Sequence, residues 1–371
     1  MILARVSGRP RRTAAVVIAI VAVAMTLSAC SSTSGGTNPS NSSSGSTSGM
    51  RTVVDNQGRA VQIPVNITRV ATNLPALPPA IYLLGGITKL VATTPVGISS
   101  FLKTVDPGVT NIPTNAFPST ATISSEALLA DKPQVVLTSQ YQTALLPTYQ
   151  RLGIPVLLFG GKSAPDDPKS LEAEMDLLAQ VLGGDAPARA KQWDSYFETN
   201  LAMITAKTSA IPKSQRPTVY YVAADPLTTD PSASWIEEGG GQNLSAENGV
   251  TQGSSFAFPT ISAESLVKWN PQVIVTQQAP AAKTFQTQPQ FTSLTAVREH
   301  QVHAAPYGIW PWATGISEQP LQPLWMAKTL YPTLFSNVNL IQATKDFYSK
   351  FYFYTLTDQQ ATQIVNATLT Q

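Results

Sequence analysis

Ile123-Ser-Ser-Glu126-Ala-Leu-Leu-Ala-Asp-Lys-Pro133-Gln-Val-Val-Leu-Thr-Ser-Gln140 recurs 138 residues on, without a gap, as Ile261-Ser-Ala-Glu264-Ser-Leu-Val-Lys-Trp-Asn-Pro271-Gln-Val-Ile-Val-Thr-Gln-Gln278, with nine of eighteen positions identical. Each copy reads as a serine cap, a glutamate, one or two turns of helix, a proline that forbids further helix, and a β-branched run suited to a buried parallel strand. A helix feeding a strand is half of a β/α layer. Two such halves this far apart imply two similar α/β lobes; a solenoid would need several copies at a period of 20 to 50 residues. Glu126 and Glu264 each follow a Ser cap in a first helical turn, where the N-terminal dipole favours an anion. That accounts for one such glutamate. It accounts less well for both copies keeping it while their neighbours drift, and two carboxylates placed alike on two lobes suit docking onto paired basic sites.

Between the copies, Lys169 to Leu182 carries Leu171, Met175, Leu178 and Leu182 on one helical face, and Gly183-Gly184 ends it. Asp185 then caps a second run, with Pro187 in its first turn and Trp193, Phe197, Leu201 and Ile204 at helical spacing up to about Ser209. We read residues 169–210 as a rigid helical bridge, 51–168 as an N-terminal α/β lobe and 211–371 as a C-terminal one. In the first lobe, short strands flank Gly58, strands follow at Arg69–Thr72 and Lys89–Thr93, a short helix at Ala80–Leu84 ends at Gly85-Gly86, and Ile154–Phe159 is a strand. In the second, Thr218–Val222 and Gln301–Ala304 are strands and Phe291–Val297 a short helix. Tyr307-Gly-Ile-Trp310-Pro-Trp312 is an aromatic loop, and helices at Leu321–Leu330, Thr344–Phe353 and a short one to Leu369 close the chain. Strands alternating with helices mean a mainly parallel sheet in each lobe.

Ahead of the lobes, Arg5, Arg9, Arg11 and Arg12 precede the uncharged run Ala14–Leu27. A basic segment, a short apolar core and small residues before a cut describe a secretory signal over residues 1–29, too short for a membrane span of ~20 residues. Leu27-Ser28-Ala29-Cys30 resembles the lipobox of bacterial lipoproteins, which implies acylation of Cys30 and retention on the outer face of the membrane. Residues 30–50 are almost wholly Ser, Thr, Gly and Asn, a tether reaching roughly 25 Å on average.

At 371 residues the chain can bury more than one core. Charged residues make up 12% and the net charge is +2, so no basic field points to nucleic acid. One cysteine excludes an internal disulfide, and two histidines leave little for a dedicated metal site. Gly160-Gly161-Lys162-Ser163 lacks the earlier glycine of a phosphate loop, since Val156 stands there. His300-x-x-His303 has a usable spacing without an acidic or thiol pattern around it, and no Gly-x-Ser-x-Gly elbow occurs. No catalysis and no resident cofactor or metal is expected.

With Asp55-x-x-Gly58-Arg-x-Val-x-Ile63-Pro at the start, the two Glu-x-Leu and Pro-Gln-Val units, Gly239-Gly240-x-x-Asn243, and Leu324-Trp-Met-Ala-Lys-x-Leu-Tyr-Pro332 near the end, residues 51–371 resemble the substrate-binding proteins of ABC importers for iron-siderophores, haem and cobalamin. The resemblance implies two Rossmann-like lobes joined by a single long interdomain helix, little hinge motion, and a metal chelate held between them. It implies a monomer that docks on a permease dimer with its ATPase, Glu126 and Glu264 pairing with permease arginines, and a membrane tie through the lipid anchor. The chain departs from its relatives in offering few cations near the cleft, Lys162, Lys283 and Arg59, and in carrying Glu318 where many have arginine. Aromatics in loops after strands are abundant instead. Tyr141, Trp235, Tyr307, Trp310 and Trp312, with Lys162, are the expected ligand contacts, and Pro311 favours placing the Trp310/Trp312 pair in the cleft. The alternative is a lipid-anchored cell-surface enzyme or sensor partner with the same fold. An enzyme would crowd titratable groups into the cleft, whereas these loops are aromatic and amide-rich.

Overall fold

In the computed structural model, which describes residues 49–160, 167–253 and 257–369, both lobes are built on the same strand order. The first opens with an antiparallel hairpin of β1 (Met50–Val54) and β2 (Ala60–Pro64). Its parallel sheet comprises β3 (Val70–Thr72), β4 (Leu90–Ala92), β5 (Val135–Ser139) and β6 (Val156–Phe159), in the spatial order β4-β3-β5-β6. The second lobe has β7 (Thr218–Val222), β8 (Gln242–Asn243), β9 (Val273–Thr276) and β10 (Val302–Ala304), ordered β8-β7-β9-β10 and likewise parallel. Each sheet runs second, first, third, fourth, and the repeated stretch supplies the third strand of both.

The two copies also agree in detail. Ser124 Oγ accepts from the Ala127 N–H at 3.4 Å at the start of helix Ser125–Ala130, and Ser262 Oγ accepts from Ser265 N–H at 3.1 Å at the start of helix Ala263–Trp269. Lys132 (φ 46°) and Asn270 (φ 45°) turn left-handed just before the two prolines. The amide oxygen of Gln134 then accepts the Thr68 N–H at 2.7 Å, and that of Gln272 the Thr218 N–H at 2.9 Å, each fixing the start of the neighbouring strand. Every residue of β5 and β9 is buried, which is why their sequence is apolar or β-branched throughout except for Ser139 at the end of β5.

The Asp55 motif explains how the hairpin joins the sheet. The buried Asp55 carboxylate accepts from Gln57 and Arg59 backbone N–H groups, from Arg59 Nε at 2.8 Å and from Leu158 N–H on β6 at 3.1 Å. Arg59, expected near the cleft, is spent here: it also donates to Val156 O at 2.8 Å.

The expected bridge is two helices, Pro168–Leu182 and Ala186–Thr208, turned at Gly183-Gly184. The second has 23 residues, about 34 Å at 1.5 Å per residue. Near its start Arg189 donates to Leu83 O of the first lobe; further along, Trp193 Nε1 donates to Ser317 O at 2.9 Å and Asn200 Nδ2 to Pro320 O at 2.9 Å; at its end Lys207 Nζ donates to Leu334 O at 2.8 Å. Trp193 and Phe197 sit in one apolar core that includes Val70 and Leu137 of the first sheet and Val219 and Val275 of the second. This is the arrangement of two lobes on a helical spine that the resemblance implies.

Elsewhere the sequence and the structure part in places. The expected helix Thr344–Phe353 is an α-helix, Leu340–Phe347, followed by a π turn, Tyr348–Tyr352, that stops where Phe353 turns left-handed. A helix at Ala279–Thr287 and the two-residue β8 were not foreseen. The tail also returns to the first lobe: Tyr352 lies 6.0 Å from Tyr82 and Tyr348 6.0 Å from Phe101, between ring centroids.

Candidate functional site

In parallel sheets of this order, ligands bind beyond the carboxyl ends of the strands, where the strand order reverses. The segments leaving those ends line a cleft of about 430 Å³. The first lobe supplies Leu74–Ala76 after β3, Ser139–Tyr141 after β5 and Phe159–Gly160 after β6; the second supplies Asp230 and Ser232 after β7, Gln252 and Phe258, and Trp310, Thr314 and Gly315 after β10. Thr120 of the first lobe and Glu174 of the first spine helix complete the lining.

The first-lobe wall is fixed by amides. Gln57 Nε2 donates to Gln140 Oε1 and to Gly160 O, both at 2.7 Å. Ser139 Oγ accepts the Tyr141 N–H at 3.2 Å and so starts the turn that presents the Tyr141 ring. Beneath it, buried Gln142 Oε1 accepts from Asn73 Nδ2 and from Thr138 Oγ1.

The opposite wall depends on Glu318. Its buried carboxylate accepts the Trp310 N–H at 2.7 Å and the Tyr348 hydroxyl proton, while Tyr348 Oη accepts the Ile309 N–H at 2.9 Å. Burial pushes the Glu318 carboxyl up to about 7 against the lowering effect of those bonds. Gly308 lets the loop pass this cluster, since a Cβ there would overlap both Glu318 and Tyr348. Gly315 (φ 85°) closes against the Trp310 indole, where a Cβ would sit 2.8 Å from the ring.

Of the ligand contacts expected from sequence, Tyr141 and Trp310 line the cleft. Tyr307 is half-buried and outside the lining, its N–H donating to Ile364 O. Trp235 and Trp312 are corrections: both are fully buried and offer no surface to a ligand. Trp235 opens a one-turn helix that packs edge-on against Tyr221 of β7, centroids 5.0 Å apart. Trp312 turns inward because the loop doubles back, Tyr307 bridging Pro311 and the Trp312 N–H bonding to Pro306 O. Lys283 is exposed on helix Ala279–Thr287, away from the lining. Lys162 and Cys30 lie outside the described residues, as do the signal and nearly all of the tether. Glu174 and Asp230 were missed. Glu174 had a signal: it stands three residues after Leu171 and four before Leu178, an acid on an apolar stripe.

Glu126 and Glu264 are exposed and remote from the cleft lining. Hydrogen bonds from its own backbone N–H and from Ser262 hold the Glu264 carboxyl below the ordinary range. One turn on from each, an aliphatic side chain is also exposed, Leu129 at 50% and Val267 at 42%, while the preceding Leu128 and Leu266 anchor the helices in the core.

Two parallel-sheet lobes on a helical spine, with a cleft at the strands' carboxyl ends, define an extracytoplasmic solute-binding protein. The chain belongs to the periplasmic binding protein family, whose match spans residues 86–307. It is 24% identical over 329 residues to the molybdate-binding protein MolA of Haemophilus influenzae, covering 81% of this chain and 88% of that protein. A periplasmic solute-binding protein from Veillonella parvula superposes with a TM-score of 0.71 at 25% identity, over 86% of this chain and 97% of the other. Helicobacter pylori CeuE, in complex with Ni-His, does so at 0.68 and 17% identity, over 85% and 99%.

Proposed function

We propose that this protein is the lipid-anchored binding component of an ABC importer, capturing a metal chelate of the iron-siderophore, haem or cobalamin class and delivering it to the permease dimer and its ATPase without catalysis. The cleft carries this reading. Its volume of about 430 Å³ falls among small-molecule sites of roughly 300–1,000 Å³. At ~30 Å³ per water it equals about fourteen waters, more than a bare four-oxygen anion fills. MolA's molybdate is therefore a poor guide to this ligand, and no Lys, Arg or His stands among the described lining residues to pair with an oxyanion. Among the described residues no group of three or more His, Cys, Asp or Glu side chains converges on a point, which suits a cargo whose metal arrives with its own ligands.

Tyr141 and Trp310 supply aromatic faces for the chelate, with Lys162, two residues after Gly160 in sequence, as the further contact of this proposal. Glu126 and Glu264 dock on the permease. Leu129 and Val267, exposed one turn further along the same two helices, add an apolar contact beside them. Cys30 anchors a monomer to the membrane. Native mass spectrometry of protein from iron-starved and cobalamin-fed cells identifies the ligand. With it in hand, Trp310→Ala is expected to weaken binding at least ten-fold, about 1.4 kcal/mol, and to reduce ligand quenching of tryptophan fluorescence. Unchanged affinity and quenching would move the site elsewhere.

A further inference from the structure

Glu174 interrupts the apolar stripe of helix Pro168–Leu182 and lines the cleft at 8% exposure. Among the described residues no hydrogen bond or ion pair reaches it, and burial pushes the carboxyl up to about 8. A carboxyl taken out of water without a partner destabilises the chain that carries it, so its place in a ligand cleft points to completion from outside. The surroundings indicate the sign of that partner. Asp230, whose carboxylate accepts from the Ser232 N–H at 2.8 Å and Ser232 Oγ at 2.6 Å, adds a second acid to the lining. Tyr141 and Trp310 add ring faces that attract cations. No basic side chain among the described lining residues opposes them.

We infer that Glu174 determines specificity by receiving a positively charged group of the ligand, so that the cleft favours cationic chelates over neutral and anionic ones. This rests on the cleft being the chelate site. On binding, the Glu174 proton passes to solvent and the carboxylate pairs with the ligand cation.

The test uses the full chain and a matched pair of probes: a ferric trishydroxamate chelate bearing a pendant ammonium group, and the same chelate with that amine acetylated. Ferric citrate and molybdate serve as anionic probes. Calorimetry is expected to show the ammonium chelate binding at least ten-fold more tightly than its acetylated twin. In Glu174→Gln, which keeps size and hydrogen-bonding atoms, that preference is expected to fall below two-fold, with Trp310→Ala weakening both chelates alike. Equal binding of the pair by the wild-type chain, a preference for ferric citrate, or a preference that survives Glu174→Gln would each overturn the inference while leaving the metal-chelate reading standing, whereas a preference for molybdate would overturn both. Failure of all four probes to bind would remove the iron-siderophore reading and this inference with it. The comparison within the wild-type chain needs no variant, so a folding defect in Glu174→Gln cannot mask the outcome.

Discussion

Replacing Glu318 by alanine removes a 1%-exposed carboxylate that holds the Trp310 N–H and the Tyr348 hydroxyl. Two buried donors are left without acceptors at ~1–3 kcal/mol each, and the emptied space adds a cavity cost, so a loss of about 3–6 kcal/mol is expected where the native carboxyl is uncharged. Charge works the other way. Burial raises Glu318 from its ordinary 4.5 to about 7, so its folded form holds a proton that the unfolded chain has released. The stability this contributes is complete below pH ~4.5 and is lost as pH rises through about 7, roughly 3 kcal/mol in all. Alanine has nothing to lose over that range. Urea unfolding of both proteins at pH 5 and pH 8 is therefore expected to show the larger penalty for Glu318→Ala at pH 5, shrinking by about 2–3 kcal/mol at pH 8. Glu174 and Glu238, also raised by burial, are common to both proteins and cancel in the difference. A penalty independent of pH, or one that grows toward pH 8, would refute the reasoning.

Reversing both summit charges, Glu126→Lys with Glu264→Lys, is expected to leave ligand affinity within two-fold and abolish uptake in cells; normal uptake would remove those residues from the docking role. Asp55→Ala strands three backbone donors and frees the Arg59 side chain, so the urea midpoint is expected to report a loss of about 2–4 kcal/mol. A change under 0.5 kcal/mol would show that the hairpin does not depend on that carboxylate.

The architecture was legible because its main signal is a repeat, and a repeat constrains both copies at once. Serine cap, glutamate, proline and buried strand each had to make sense twice. Helix Ala279–Thr287 escaped notice because Phe285 is its only buried side chain, and a helix with so narrow an apolar face has almost no periodicity to read. The cleft was half legible. Residue type and position after a strand identify which aromatics could meet a ligand, but the direction of each ring follows from tertiary reversals. Trp310 and Trp312 are two residues apart and end on opposite sides of one loop, because Glu318 and Tyr348, distant in sequence from each other, dictate its path. Glu174 was hidden by the same habit that found its helix: a search for apolar spacing passes over the one acid that breaks it.

The unbroken core through the spine sets how this protein can signal that it is loaded. Prying the lobes apart would bring Trp193, Phe197 and the tyrosines of the returning tail into water, so wide jaw-like gaping is opposed by the forces that fold the chain. In the proposed docking on Glu126 and Glu264, a membrane partner thus would meet nearly the same spacing whether the protein is full or empty. What distinguishes a loaded carrier must lie in the rim loops and in the exposed part of the cargo itself.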